Sequence, residues 1–256
     1  MSVILFIDML GSRKRWQTGG VNEAMKTFFR FKTMVKRAVR SAPEGAVIDG
    51  GIETDAAMLV CPSTAEAIHI ARRVFLSAFE GQMNPNTPRL WYRGCVVSHE
   101  EDTRLRVGDP LGTGLEEVTA YRYSASALEA ISVEKSGYKG LRVLVHGNLI
   151  DKGLQDQLGI PLGSRTLIPF RKLNYSYYPQ RVRGEFTDYL WMACETEDDW
   201  FKLNLQMTSR LRYAARDEEE FLQAAATQLV FSECAAIRQS VIGRARRAVE
   251  NGEDGT

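Results

Sequence analysis

Residues that hold transition metals are scarce in this chain of 256 residues. Four cysteines and three histidines are present, and no two of them stand in a C-x-x-C or H-x-x-x-H spacing. This absence disfavours a zinc site, and the cysteines are expected to be reduced thiols of a cytoplasmic protein. Any metal would be held by oxygen ligands, which suits Mg²⁺ or Mn²⁺.

An excess of one charge and long apolar runs are also lacking. The formal net charge is +1, so the composition does not indicate nucleic acid or an acidic membrane surface as a partner. No window reaches the roughly 18 uninterrupted apolar residues of a membrane span, and the N-terminal apolar run is too short for a signal peptide. With 44% hydrophobic and 25% charged residues, the chain has the composition of an ordinary globular protein without direct membrane association.

Strands and helices alternate along residues 1–147, which predicts an α/β layered domain. Apolar β-favourable runs predict strands at residues 3–7, 46–48, 56–61, 90–97 and 141–145. The spacing of apolar residues predicts helices at residues 21–40, 64–79 and 115–133. Residues 148–256 are expected to complete the same domain, with a strand at 187–193 and a long helix at 217–249.

Asp8 is the most informative single residue. It directly follows the five apolar residues 3–7, and a Gly-Ser turn comes soon after it. The apolar run predicts a strand that is buried on both faces and ends at Asp8. Because a buried lone carboxylate costs several kcal/mol unless a cation or hydrogen-bond donors compensate it, Asp8 either binds a metal or caps the helix that follows.

A second carboxylate, Asp55, lies in a predicted hairpin whose turn is polar and contains glycine. If this hairpin packs beside the first strand, Asp8 and Asp55 meet at one end of the sheet. Two carboxylates that bind two divalent ions form a clamp used for in-line phosphoryl chemistry. The backbone N–H groups of Gly11 and Ser12 begin a helix there, which is a suitable cradle for phosphates.

Three segments together resemble the catalytic domain of class III nucleotidyl cyclases: Phe-Ile-Asp-Met-Leu-Gly at 6–11, Glu-Thr-Asp at 53–55 and Arg-Gly-Cys-Val at 93–96. The form of the first segment and the chain length are similar to those of the bacterial pyrimidine cyclases of Pycsar antiphage defence. The resemblance covers residues 2–147 and implies a ferredoxin-like α+β fold. In that fold a central, mainly antiparallel sheet is flanked by helices, here with a C-terminal helical extension.

The resemblance implies conversion of UTP to 3′,5′-cyclic UMP and pyrophosphate, with the product read by a separate effector. It implies a homodimer whose sites lie at the interface, with two Mn²⁺ or Mg²⁺ ions per site. Asp8 and Asp55 match the metal-binding catalytic residues, and the backbone carbonyl of Ile7 matches a further metal ligand. Arg122 matches the arginine that contacts the α-phosphate, although no Asn stands at the family's spacing before it.

Several alternatives stay open. Gly51 stands where adenylate cyclases carry an adenine-reading Lys, which disfavours ATP because glycine has no side-chain donor. The preference for UTP over CTP rests on the resemblance alone, so a cytidylate cyclase that makes cyclic CMP is the near alternative. The missing Asn motivates a catalytically inactive, nucleotide-binding regulatory module of the same fold. Tyr92 and Tyr121 could contact a base or pack in the core.

Overall fold

A computed structural model of the chain describes most of its core. The described residues are 1–52, 55–82, 90–99, 125–135, 138–162, 165–172, 186–191, 208–215 and 217–250.

In this part of the chain, seven strands form one sheet in the order β2-β3-β1-β4-β5-β9-β8. The seven are β1 (Val3–Leu10), β2 (Asp49–Ile52), β3 (Ala56–Cys61), β4 (Trp91–Ser98), β5 (Arg142–His146), β8 (Phe170–Lys172) and β9 (Phe186–Tyr189). Neighbouring strands are antiparallel except for β4 and β5, which run parallel. The short strands β6 (Ile160–Leu162) and β7 (Arg165–Leu167) pair separately. The predicted mixed fold with a mostly antiparallel sheet is confirmed.

Helices cover both faces of the large sheet. The labelled helices are α1 (Ser12–Arg40), α2 (Thr64–Gln82), α3 (Ala125–Lys135), α4 (Lys152–Leu158) and α5 (Glu218–Glu250). Apolar side chains of α1, α2 and α5 join one buried cluster, and those of α3 join the cluster on the opposite face. The predicted helix at 115–133 lies within the described residues only from Ala125 onward.

Strand β1 supplies both clusters because successive side chains point to opposite faces of a sheet. Val3, Leu5 and Ile7 face the α1 and α2 side, whereas Ile4 and Phe6 face the α3 side. The prediction of a strand buried on both faces is therefore confirmed. The strand continues for two residues beyond Asp8, however, so the prediction that it ends there was wrong. Pairing with β4 maintains it, since its last residue still has a register partner there.

Several element boundaries also differ from the predictions; the strand predicted at 187–193, for example, is β9, which ends at Tyr189. The helix predicted at 21–40 is confirmed, but helical residues begin earlier, at Ser12, and the axis is broken at Gly20, where φ is 71°. Two adjacent glycines and few apolar residues concealed this first segment in the sequence. The strand predicted at 46–48 was placed too early: β2 begins at Asp49, and Gly50 packs so closely on β3 that a side chain there would meet the Met58 carbonyl.

The long helix α5, predicted at 217–249, fastens the segment that leads into β5. Three side chains spaced four residues apart, Glu219, Gln223 and Thr227, contact the consecutive residues 139–141. The first of these is a lysine whose Nζ lies 2.7 Å from Glu219. The backbone N–H groups of the second and third donate to the Gln223 side-chain oxygen at 2.6 Å and to the Thr227 hydroxyl at 3.0 Å. Buried donors are thereby satisfied where β5 begins.

Gly140, inside this fastened segment, allows a test of the contact. Its φ is +87°, and a Cβ atom there would lie 2.9 Å from the Thr227 backbone nitrogen. Gly45 has a similar φ of +79° with open space around it, so Gly45→Ala is the matched control. We expect Gly45→Ala to lower the free energy of unfolding by about 1 kcal/mol through backbone strain alone. Gly140→Ala should lower it by roughly 1–3 kcal/mol more because of crowding.

Urea unfolding followed by circular dichroism measures both values. If the two variants lose the same free energy of unfolding, α5 does not crowd a side chain at residue 140.

Candidate functional site

The site is built around Asp8, which lies within β1 between β3 and β4. Its register partners are Ala56 on β3 and Arg93 on β4. Its Oδ2 atom lies 3.5 Å from Arg93 Nη2, and the two side chains are 18% and 13% exposed. The cation that compensates the buried carboxylate in the described structure is therefore a guanidinium.

The backbone of Asp55 is hydrogen-bonded to β1 next to Asp8. The N–H of Met9, the residue after Asp8, donates to the Asp55 carbonyl at 2.7 Å. This bond extends the β1–β3 ladder beyond Ala56 to Asp55. The carboxylates of Asp8 and Asp55 are close enough that the second raises the pKa of the first. The structure thus brings the two predicted carboxylates together, and their role as metal ligands stays a prediction.

The pKa of Asp8 indicates how much of the cost of burying its charge is offset by Arg93. Burial raises the pKa of this carboxyl to about 7, from an ordinary value of 3.8. Attraction by Arg93 and a hydrogen bond from it act in the opposite direction, whereas repulsion by Asp55 adds to the rise. Arg93 therefore offsets only part of the cost of burial. A further positive charge at this position would be stabilising.

The Arg93 guanidinium contacts an aromatic ring. Its guanidinium carbon lies 5.7 Å from the centroid of the Tyr138 ring, which suits a cation–π contact. The Tyr138 hydroxyl in turn donates to the Gly94 carbonyl at 2.8 Å. The sequence analysis used Arg93 only as part of a family motif and missed its pairing with Asp8. A signal was present, since an arginine in an otherwise apolar strand needs a counter-charge.

A second arginine–aspartate pair lies on the next two strands of the sheet. Arg142 on β5 is in register with Arg93 on β4. It forms an ion pair with Asp188 on β9, with Nε 3.1 Å from Oδ1 and a second contact from Nη2 to Oδ2. Two arginines thus lie side by side on one face of the sheet, each beside its own aspartate.

The remaining predicted site residues have different surroundings. Gly11 is the residue before α1; its φ of 76° is left-handed, and Ser12 is the first residue of the helix. The Ile7 side chain is completely buried, and its register partner on β3 is Ala57. Arg122 lies outside the described residues, as do residues 53 and 54 of the hairpin motif and Tyr121. The roles proposed for these residues stay predictions.

Tyr92 belongs to the core. Its side chain is fully buried, and its ring stacks on Phe31 with centroids 5.4 Å apart. Its hydroxyl lies 3.9 Å from the sulfur of Met34, so it points towards α1. Of the two interpretations of Tyr92, packing in the core is the one that the contacts support.

The donor set fits a hard divalent cation. Carboxylate oxygens are the ligands that Mg²⁺ prefers, and such ions are commonly held by one or two carboxylates, with water and substrate phosphates completing the coordination. Within the described ranges, no group of three or more His, Cys, Asp or Glu side chains is arranged to hold a metal. Asp8 and Asp55 would therefore supply only part of a coordination shell.

A comparison of the chain with protein-family models and with curated proteins gives no match. Among the described helices, none combines the length and apolar character needed to cross a membrane.

Asp8 also determines part of the pH dependence of stability. Since its pKa is about 7 in the folded protein against 3.8 ordinarily, the folded state binds this proton more tightly between these values. The contribution of Asp8 to the free energy of unfolding is therefore fully present below about pH 4 and is lost as the pH rises through about 7. We expect Asp8→Asn, which does not titrate, to gain roughly 2 kcal/mol relative to the wild type between about pH 5 and pH 7.

Urea unfolding at several pH values measures this difference. The exposed Asp156→Asn is the control and should follow the wild-type curve. Parallel curves for the wild type and Asp8→Asn would contradict the burial of a titrating carboxyl at this position.

Proposed function

We propose that this chain is a metal-dependent pyrimidine nucleotide cyclase that converts UTP to 3′,5′-cyclic UMP and pyrophosphate as a signal in antiphage defence. The observation that carries the proposal is the position of Asp8, a largely buried and incompletely compensated carboxylate, next to Asp55, whose carbonyl accepts a 2.7 Å hydrogen bond from the Met9 N–H. Such a pair of carboxylates beside the start of a helix suits the binding of a metal-bound polyphosphate.

The topology supports the same proposal. The order β1-α1-β2-β3-α2-β4 along the chain and the spatial order β4-β1-β3-β2 are consistent with a ferredoxin-like split βαβ sheet. This is the fold that the resemblance to class III cyclases implies. Strands β5, β9 and β8 extend the sheet beyond β4 in the observed order. Because one fold can serve many functions, the topology supports the site and does not replace it.

In the proposed reaction, the 3′-oxygen of UTP forms a bond to the α-phosphorus, and the bond from that phosphorus to the bridging oxygen of the β-phosphate breaks. Asp8 and Asp55, with the Ile7 carbonyl, would hold two Mn²⁺ or Mg²⁺ ions. When bound, such ions favour ionisation of the attacking hydroxyl and neutralise the pyrophosphate. Backbone N–H groups of Gly11 and Ser12 would orient the phosphates, and Arg122 would stabilise charge on the α-phosphate.

The proposed active form is a cytoplasmic homodimer. Under the cyclase proposal each site lies at the interface, so a second copy of the chain completes it. The chain would act without nucleic acid or a membrane, and a separate effector would bind the cyclic nucleotide.

A second candidate function is favoured by the ion pair between Asp8 and Arg93. Because Arg93 compensates part of the Asp8 charge without a metal, the site is also compatible with a regulatory module that binds a nucleotide and does not turn it over. A cytidylate cyclase is the alternative within the enzyme class, and the choice between UTP and CTP rests on the resemblance.

Incubation with each of the four ribonucleoside triphosphates and Mn²⁺ tests the proposal. We expect cyclic UMP and pyrophosphate from UTP, detected by mass spectrometry. Asp8→Ala and Asp55→Ala should each lower the rate by about 100-fold or more, since each removes a proposed metal ligand. Asp156→Ala, at an exposed position on α4, is the control and should retain the wild-type rate.

Three other outcomes would change or contradict the proposal. Cyclic CMP would identify the cytidylate alternative. Binding of a triphosphate without release of pyrophosphate would favour the regulatory module, and the absence of both binding and product would contradict the cyclase proposal.

A further inference from the structure

Basic residues are concentrated in helix α1. Its 29 residues include nine lysines and arginines and one acidic residue, Glu23. The whole chain has 33 basic and 32 acidic residues, so the part outside α1 has 24 basic and 31 acidic residues and a formal net charge of −7. The net charge of +1, which indicates no anionic partner, therefore averages a strongly basic helix with an acidic remainder.

The basic residues of α1 that follow the break at Gly20 are mostly at the surface. Arg30 is half-buried, and the other five are exposed: Lys26, Lys32, Lys36, Arg37 and Arg40. The Lys26 Nζ atom lies 3.9 Å from Glu23 Oε2. Among the residues that the structure describes, this is the one ion pair that the five side chains make. This part of the helix therefore presents a positive surface to the solvent.

An apolar row lies beside these cations. Val21, Met25 and Phe29 follow one another at intervals of four, so their side chains line up along the helix, and they are 57%, 40% and 61% exposed. Lys32 and Lys36 continue the same row by their spacing. The core-facing side of α1 is separate, because its apolar side chains pack in the buried cluster. A contiguous exposed apolar row, unlike a single exposed residue, indicates an interaction site.

The combination of this row with clustered cations favours one class of partner. It is typical of helices that lie in the headgroup region of an anionic bilayer. Contact between two copies through this face would bring two basic surfaces together, which like-charge repulsion disfavours. A nucleic-acid duplex would match the cations but not the apolar side chains.

The shape of the surface favours the same partner. A stable interface with a folded protein takes about 800 Å² from each side, and three partly exposed side chains on a convex helix supply little of that area. A fluid headgroup layer needs no complementary shape, and its phosphates can each approach a separate cation. The apolar side chains then leave water at the boundary between headgroups and acyl chains.

We propose that α1 is a docking surface for the anionic lipid surface of a membrane. Its exposed cations contact lipid phosphates, and the side chains of Val21, Met25 and Phe29 enter the headgroup layer. This inference is independent of the proposed function, because the cyclase reaction itself needs no membrane. Docking adds a location to the chain and leaves the proposed turnover as it is.

Co-sedimentation of the full chain with lipid vesicles measures this docking. One set of vesicles contains phosphatidylcholine alone, and the other also contains the anionic lipid phosphatidylglycerol. We expect the wild type to bind only the anionic vesicles. Raising the salt from about 0.1 M to about 1 M should weaken this binding at least about tenfold, since the screening length falls from about 10 Å to about 3 Å.

Two triple variants with the same net charge test the cations. The first replaces three cations of α1: Lys32→Gln, Lys36→Gln and Arg37→Gln. The control replaces three exposed cations of other segments: Lys135→Gln, Lys152→Gln and Arg210→Gln. We expect the first to bind anionic vesicles about 100-fold more weakly than the wild type, since each cation near the lipid surface contributes to binding. The control should bind as the wild type does.

Phe29→Gln tests the apolar row. We expect it to bind the anionic vesicles about tenfold more weakly, since a large apolar side chain no longer enters the headgroup layer. Leu128→Gln on α3, where the leucine is 56% exposed, is the matched control and should bind as the wild type does. Urea unfolding without vesicles should give the same midpoint for Phe29→Gln and the wild type, because the side chain is exposed.

Four results would overturn the inference. The first is a wild type that does not bind anionic vesicles, and the second is equal weakening by the two triple variants. The third is undiminished binding by Phe29→Gln, which would leave the apolar row outside the lipid layer. The fourth is tighter binding of the wild type to a DNA duplex than to the vesicles, which would make nucleic acid the partner. Formation of cyclic UMP is measured without vesicles, so each of these results leaves the proposed function unaffected.

Discussion

The ion pair between Asp8 and Arg93 joins two neighbouring strands at the one position where each carries a charge. Because side chains alternate between faces, a slip of one residue between β1 and β4 would place the two charges on opposite faces of the sheet and separate them. The pair therefore helps to fix the register of the sheet. Its compensation is nevertheless incomplete, since the pKa of Asp8 stays well above its ordinary value. The same feature thus supports the fold and leaves a place where additional positive charge is favourable.

The C-terminal part of the chain contributes to the surroundings of this pair. Arg142 lies in register with Arg93, and two arginines side by side would repel each other if neither were neutralised. Asp188 on β9 pairs with Arg142 through two contacts and so limits that repulsion. Strand β9, which follows residue 147 in the sequence, is therefore part of the same electrostatic arrangement as Asp8.

Much of the framework follows from local sequence patterns. The buried strand β1, the helix over 21–40 and the helix α5 each have an apolar run or spacing long enough to identify them. The meeting of Asp8 and Asp55 could also be predicted, because a hairpin packed beside β1 brings them together. The pairing of Asp8 with Arg93 could not, since it depends on the register between segments far apart in the chain. For the same reason, no local pattern distinguishes Trp91, whose indole N–H has no partner in the described structure, from Trp191, whose N–H has one.

The attachment of α5 to residues 139–141 has a consequence for how the protein forms. The three contacts join residues 80, 83 and 86 positions apart, so each closes a long loop. Contacts of this kind slow folding, and during synthesis the N-terminal part of a chain emerges first. The strands β1 to β4 can pair while later residues are still being synthesised, whereas the three contacts of residues 139–141 with α5 form only after α5 has been synthesised. Formation of these three contacts therefore depends on the synthesis of a helix that lies about 80 residues further along the chain.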